Sequence, residues 1–310
     1  MKYKNKTFLI TGGSGELGTE FLKLFVEKAN SENNRIMVLS RNPMKNKTIA
    51  EFADRRKITT IKCDLSDLEK LEKIKNKIKH TTNLIHLSAQ ITDKNDMGVA
   101  LNQIKFNTIS LLRLIKFLPN LRHVIFSSSY FVYGGEKAPH LTEFSEAKLV
   151  NVYSLGKFSA EQILKIFGSV NDIPICILRF SSLYGPSTSK RNFIPDCLIK
   201  AKNKEKITIF GDGEHSKNYL FIEDAAKALE LSLEQRANGI YNIGGSKTYS
   251  LNEIANLAIR ITKSDSKIEY TGKNNRNLYF NLLSKKAKND LGFKPKFSIE
   301  KGMTKIMECL

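Results

Sequence analysis

Tyr153 and Lys157 stand four residues apart in NVYSLGKFSAEQILKIF (151–167), a stretch whose apolar positions recur at helical spacing. On a helix that spacing puts a phenol and an ammonium on one face, one turn apart. The ammonium lowers the phenol's pKa and makes it a usable proton carrier. A second pair at the same spacing, Tyr133 and Lys137, spans YGGEK, where paired glycines argue against a helix. Hydroxyls of Ser127, Ser128 and Ser129 close the apolar run LRHVIFSSS. If that run is a parallel strand, they emerge at its carboxyl end, where open α/β sheets bind ligands.

The turn TGGSGELG (11–18) follows the first apolar run and opens the first helical pattern. Gly13, Gly15 and Gly18 form GxGxxG, and Gly12, Gly15 and Gly18 also read as GxxGxxG. Such a turn lets backbone approach a pyrophosphate and aims a helix N-terminus at the anion, which gives Ser14, Glu16 and Leu17 a place at the same site. The second run ends in LSRNP, with Ser40 and Arg41 but no carboxylate for a ribose 2′-hydroxyl. Arg41 is positioned to meet a 2′-phosphate, so NADP(H) is favoured, with NAD(H) the alternative. Asp64, after the third run in KCDL, is either an adenine contact or the cap of the next helix.

The elements that must position these groups alternate. Candidate strands are TFLITGG, RIMVLSR, TTIKCDL, NLIHLSA, LRHVIFSSS and IPICILRFSS, separated by amphipathic stretches such as ELGTEFLKLFVEKA. The pattern predicts an α/β fold, a Rossmann-type doubly wound parallel sheet. Beyond residue 185 shorter elements punctuated by YGP, GDGEHSKN and NIGGSK take over. We therefore expect a NAD(P)-binding domain over 1–185. A smaller C-terminal region over 186–310 is expected to bind substrate, with KITIF and GIYNIGG able to return to the main sheet.

At 310 residues, 41% hydrophobic and 26% charged, the composition is that of a globular protein. No apolar run is long enough to span a bilayer and the N-terminus is not a signal peptide, so we expect a cytosolic protein without membrane attachment. Cys63, Cys176, Cys197 and Cys309 are far apart, which argues for buried, reduced thiols and against a metal site. The net charge of +19 is spread along the chain, in segments such as KLEKIKNKIKH (70–80) that read as solvated helix faces. It therefore suits a polyanionic small substrate better than nucleic acid.

Several motifs in order resemble the extended short-chain dehydrogenase/reductase family, which contains nucleotide-sugar epimerases, dehydratases and reductases. They are TGGSGELG, HLSA (86–89), FNT (106–108), SSSYFVYG (127–134), YSLGK (153–157), RFSSLYGP (179–186), IFGDGEHSKNYLFIEDAA (209–226), YNIGG (241–245), Arg276 and KNDLGFKP (288–295). The resemblance implies that Tyr153 is the acid/base, that Lys157 binds the nicotinamide ribose and keeps the phenol acidic, and that Ser129 hydrogen-bonds the reacting oxygen. It adds Leu65, Ser88 and Asn107 to the cofactor side, and Tyr130, Ser182, Lys217 and Arg276 to the substrate side. It also implies a nucleotide-sugar substrate and a homodimer paired through helices near 95–117 and 153–167. Dehydratases of the family carry Asp-Glu where this chain has Tyr130 and Phe131, which disfavours dehydration. Ser182 replaces a usual asparagine, Lys217-Asn218 replaces Arg-Asp, and Glu16 replaces an aromatic. The expected activity is NADP(H)-dependent 4-keto reduction at C4 of a nucleotide-activated sugar. A C4-epimerase without net cofactor use and a non-catalytic dinucleotide sensor are the alternatives.

Overall fold

The computed structural model describes residues 4–92, 96–134, 138–186, 192–272 and 279–310. Strands β1 (Thr7–Thr11), β2 (Arg35–Ser40), β3 (Thr59–Lys62), β4 (Asn83–His86) and β5 (His123–Ser129) come from the first candidate runs. They are followed by β6 (Ala138–Leu141), β7 (Ile175–Phe180), β8 (Ser182–Tyr184), β9 (Ile207–Phe210), β10 (Ser216–Phe221) and β11 (Gly239–Ile243). The last three are β12 (Thr248–Ser250), β13 (Ile268–Thr271) and β14 (Tyr279–Leu282). Seven strands form one sheet in the order β11-β7-β5-β4-β1-β2-β3. Every pairing in it is parallel. Its strands are nearly continuous apolar runs because both faces are covered; all six residues of β7 are buried.

The helices are α1 (Glu16–Ser31), α2 (Lys47–Asp54), α3 (Leu68–Ile78), α4 (Met97–Ile104), α5 (Ser110–Lys116) and α6 (Val152–Asn171) in the first half. The second half adds α7 (Phe193–Lys202), α8 (Ile222–Glu234), α9 (Leu251–Thr262), α10 (Lys285–Leu291) and α11 (Ile299–Met307). One sheet face packs on Phe21, Phe25 and Leu229 of α1 and α8. The other packs on Leu71, Leu111, Ala160 and Leu164 of α3, α5 and α6. In α3 the apolar residues Leu71, Ile74 and Ile78 are buried while the lysines of 70–80 lie exposed.

The two regions interleave along the chain. GIYNI enters the main sheet as β11, as expected, whereas KITIF does not: β9 pairs with β13 in a separate ribbon. β6, early in the sequence, joins β12-β10-β14 in the smaller sheet, where β8 pairs with β10. Three cysteines are buried, but Cys309 is exposed, contrary to expectation, because it follows the last helix at the chain's end. Among the described residues, no helix is long and apolar enough to cross a membrane.

The chain leaves β1 toward β2 and β3, then crosses back to β4 on the other side of β1. This reversal opens a crevice at the carboxyl ends of β1 and β4. Two buried histidines tie strand ends, His86 at this carboxyl edge and His123 at the opposite, amino edge of the sheet. His86 Nδ1 meets Thr11 Oγ1 at 2.9 Å, and His123 Nε2 meets the Ala237 carbonyl at 3.0 Å. Burial pulls His86 down to about 3 and His123 down to about 4, from an ordinary 6.5. Below 6.5 the unfolded chain therefore takes up protons that the fold excludes, and stability is lost as pH falls through that window. Urea unfolding at a series of pH values should show this loss between about 6.5 and about 4. His123→Gln, which keeps a donor for Ala237, should flatten the slope; an unchanged slope would assign the acid sensitivity elsewhere.

Candidate active site

β1 runs into the glycine turn. Gly12 sits at φ +70°, and a Cβ on it would lie 2.6 Å from the Ser88 nitrogen, so only glycine allows β1 and the segment after β4 to approach this closely. Gly15 caps α1 without a side chain, which leaves the first N–H groups of the helix for a ligand. A cavity of about 580 Å³ starts at Gly12, Ser14 and Gly15. It runs past Ser40, Arg41, Asn42, Lys45, Asn46, Cys63 and Leu65 to Leu87, Ser88 and Ala89. Among the described residues, no carboxylate lines it. A glycine cradle at a helix N-terminus, opening into a channel of this shape, fits a dinucleotide.

A second cavity of about 440 Å³ shares Gly12, Gly15, Leu87 and Ala89 with the first and extends to Ser127–Ser129, Tyr130, Phe131, Tyr153, Ser182, Lys217 and Tyr219. Among the described residues, Glu16 is the one acidic side chain in its lining. Ser129 ends β5, and Tyr153 begins α6, where Asn151 and Ser154 form a capping box that fixes the helix start. Ser129 and Tyr153 both line this cavity. Burial pushes Tyr153 up to about 12, with the Ser129 hydroxyl working the other way.

Lys157, 1% exposed, donates from Nζ to the Ser127 carbonyl at 2.7 Å and lies over the Phe126 ring. Burial pulls it down to about 7, against the upward pull of Glu161. The expectation that the ammonium acidifies the phenol is therefore corrected: desolvation dominates both groups, and Lys157 is not among the causes acting on Tyr153. At neutral pH Tyr153 holds its proton.

Glu161, one turn beyond Lys157 and fully buried, completes a column on α6. Its carboxylate takes a two-pronged contact from Arg179 of β7, at 3.0 Å from Nε and 2.6 Å from the terminal nitrogen. It also accepts from the Ser128 hydroxyl. Arg179 lies 4.7 Å over the Tyr133 ring, and Tyr133 donates to Asn242 of β11 at 2.7 Å.

The other expected residues fall as follows. Gly13, Gly18 and Leu17 belong to the turn and first helical residues; a Cβ on Gly18 would lie 2.5 Å from the Gly12 carbonyl. Arg41 is exposed and lines the first cavity with Ser88 and Leu65. Asp64 lines neither cavity: it accepts from Ser66, and the helix cap is Asp67 instead. Asn107 is buried in a π-helical turn and clasps the Gln90 backbone at 3.0 and 3.2 Å, so it holds the wall of the cleft from behind. Tyr130 donates to or accepts from Ser182 at 3.0 Å. Burial alone pulls Lys217 down to about 8. Arg276 and Lys137 lie outside the described residues.

Sequence reasoning missed Glu161, Arg179 and Tyr219. Glu161 continues the four-residue period from Tyr153 and Lys157, and Tyr219 is two residues beyond Lys217 on one strand face; both spacings were available. The Tyr219 hydroxyl and the Ser181 hydroxyl are buried without a hydrogen-bond partner among the described residues.

Residues 8–244 match the model of the NAD dependent epimerase/dehydratase family. The chain belongs to this enzyme family of nucleotide-sugar epimerases, dehydratases and reductases. It is 26% identical to a putative UDP-glucose 4-epimerase of Methanocaldococcus jannaschii, covering 97% of each chain. It is 27% identical to a trifunctional UDP-glucose 4,6-dehydratase/UDP-4-keto-6-deoxy-D-glucose 3,5-epimerase/UDP-4-keto-L-rhamnose-reductase of Arabidopsis thaliana, over 99% of this chain but only 47% of that protein. Thus the chain spans about half the length of that relative. The crystal structure of the Thermotoga maritima UDP-glucose 4-epimerase with UDP-glucose matches with a TM-score of 0.85 and 25% identity, over 98% of both chains.

The Glu161–Arg179 pair carries a measurable consequence. Glu161→Gln leaves the guanidinium buried without its counter-charge and should cost about 3–5 kcal/mol of unfolding free energy in denaturant titration. Arg55→Gln breaks the exposed pair with Glu51, 2.8 Å apart, and should cost less than about 1 kcal/mol. Similar losses in the two variants would remove Glu161 from its supporting role.

Proposed function

We propose that this family member is an NADP(H)-dependent oxidoreductase acting at C4 of a nucleotide-activated sugar, with net 4-keto reduction as its reaction. The observation that carries the reading is the Ser129–Tyr153 hydroxyl pair in a cavity that shares its wall with the dinucleotide channel. A nicotinamide bound along the first cavity would supply hydride chemistry beside these two hydroxyls. Tyr153, held protonated by burial, gives its proton to the C4 oxygen, and Ser129 donates a hydrogen bond to that oxygen. A ketone thereby becomes a secondary alcohol, and the phenolate left behind is reprotonated from solvent. Lys157, donating to the Ser127 carbonyl, ties α6 to the strand end that carries Ser129.

Arg41 and Lys45, in a channel with no carboxylate among the described residues, support a 2′-phosphate. Lys217 has no carboxylate partner among the described residues, and a substrate diphosphate would supply its counter-charge; Arg276 is proposed to share that contact. The absence of an acid at Tyr130 and Phe131 argues against dehydration. A C4-epimerase is the second reading, favoured by the full-length similarity to the putative Methanocaldococcus enzyme. Stoichiometric loss of NADPH on a 4-keto sugar nucleotide supports reduction, whereas interconversion of C4 epimers without net cofactor change sinks it.

Tyr153→Phe should lower turnover by about 10²–10⁴-fold while cofactor affinity is retained. Unchanged turnover would refute the assignment of Tyr153, whereas dinucleotide binding with no turnover in the parent protein would favour a sensor. Arg41→Ala should weaken NADPH and leave NADH unaffected; equal effects on both would count against the phosphorylated cofactor.

The exposed apolar residues Leu101 and Ile109, beside Leu155, Ile166 and Val170 on the adjoining face of α6, support pairing of two copies of the chain. Sedimentation velocity should find a dimer that Ile166→Glu converts to monomer; a monomeric parent protein would overturn the pairing.

A further inference from the structure

Glu161 lines neither cavity, yet it lies one turn along α6 from Lys157 and two turns from Tyr153. Both charged groups are shut away from water: Lys157 is 1% and Glu161 0% exposed. They dock on consecutive residues of β5. The Lys157 ammonium donates to the Ser127 carbonyl at 2.7 Å, and the Ser128 hydroxyl donates to the Glu161 carboxylate. The next residue is Ser129, so the grip of α6 on this strand end also registers the hydroxyl that shares the second cavity with Tyr153.

The surroundings of Lys157 do not favour an ammonium. The Phe126 ring lies 4.8 Å from Nζ, and the His86 ring of β4 stacks on the same phenyl. His86 adds no charge at neutral pH, because burial pulls it down to about 3. Tyr153 adds none either, since burial pushes it up to about 12. Arg179 of β7 carries positive charge and is committed to Glu161 through two contacts, with Tyr133 under its guanidinium. Among the described residues Glu161 is therefore the one acidic side chain acting on Lys157, and it opposes the proton loss that burial drives. A charged amine holds a carbonyl more strongly than a neutral one.

We propose that Glu161 is a positioning residue for the proton transfer, acting through Lys157. Its carboxylate, one turn away, keeps the amine charged and so keeps α6 clasped to the strand end that carries Ser129. Arg179 and Ser128 share that carboxylate and set how much of its field Lys157 receives. The bearing on the reaction rests on the reading of Tyr153 and Ser129 above; the coupling of Glu161 to Lys157 does not.

The test follows the Lys157 Nζ resonance with pH in the cofactor-free protein, with lysine side chains isotopically labelled and Lys157→Met identifying the signal. Glu161→Gln should weaken the hold of Lys157 on its proton by about tenfold or more, so that the amine turns neutral at lower pH. Glu161→Asp keeps the charge and should restore most of that hold. Arg179→Gln frees the carboxylate and should move the titration the opposite way. Ser128→Ala, a small deletion that leaves both charges in place, should follow Arg179→Gln in direction. A packing role alone would leave the titration where it is, or move Glu161→Gln and Arg179→Gln in one direction; either result overturns the proposal. If one of those two variants does not fold, Ser128→Ala decides: a tighter proton supports the coupling and an unmoved one overturns it. With NADPH and a 4-keto sugar nucleotide, the alkaline fall of turnover should shift across the variants in the same order. A moved titration with an unmoved turnover profile keeps the coupling and overturns its bearing on catalysis. No turnover in the parent protein overturns the C4 reading, while the titration still decides the role of Glu161.

Discussion

The buried ion pair between Glu161 and Arg179 is the constraint on which the rest of the site depends. It joins α6 to β7, and through the Ser128 hydroxyl it also holds β5. Removing both charges from water is costly, and two parallel N–H···O contacts with further polar partners are what make it tolerable. Because Tyr153, Lys157 and Glu161 share one face of α6, the pair fixes the rotation of that helix against the sheet. That rotation sets where the phenol stands relative to Ser129. The same guanidinium lies over Tyr133, which bonds Asn242, and Asn242 in turn donates to the Leu141 carbonyl of β6. One polar chain thus runs from beneath the proton-transfer residues into the smaller sheet.

Much of this was legible in the sequence, for physical reasons. A strand with both faces covered must be apolar throughout, so the first six main-sheet strands announced themselves as runs. A backbone that approaches another backbone to within a Cβ's radius must be glycine, so the turn at 12–18 did too. Gly156 was legible only as a tolerated glycine in a helix. Its role is contact: its carbonyl accepts from Thr108 at 2.9 Å, where α6 crosses the π-turn carrying Asn107. Such crossings have no period and leave no local signature.

What stayed hidden was pairing at a distance and the balance of solvation. Glu161 and Arg179 are separated by a helix end, a loop and most of a strand, and nothing in either neighbourhood marks the other. β6 escapes its region, and β9 stays out of the main sheet, because strand pairing is decided by which edge is free, not by order along the chain. The pKa argument from spacing counted the ammonium's field on the phenol and left out burial. In the folded protein burial is first among the causes for both groups, so Tyr153 rises while Lys157 falls. A spacing argument can say that two groups are neighbours, but not what medium lies between them.

The two anion-facing ends of the cleft differ in the same way. At the cofactor end the donors are backbone N–H groups at the start of α1, held by glycines that no other residue can replace, and there the motif and the structure coincide. At the substrate end the positive charge is Lys217, a single ammonium on a flexible stem that lies 5.3 Å from the Tyr219 ring and carries no geometry of its own. A bidentate arginine would encode the orientation of its anion; a lysine encodes only the charge. On the proposed reading, orientation of a substrate would come from shape, and the rings nearest Tyr153 belong to the aromatic wall of Tyr130, Phe131 and Phe280. On that reading, substrate choice would be a matter of packing more than of charge, and a +19 net charge spread along the chain says little about it.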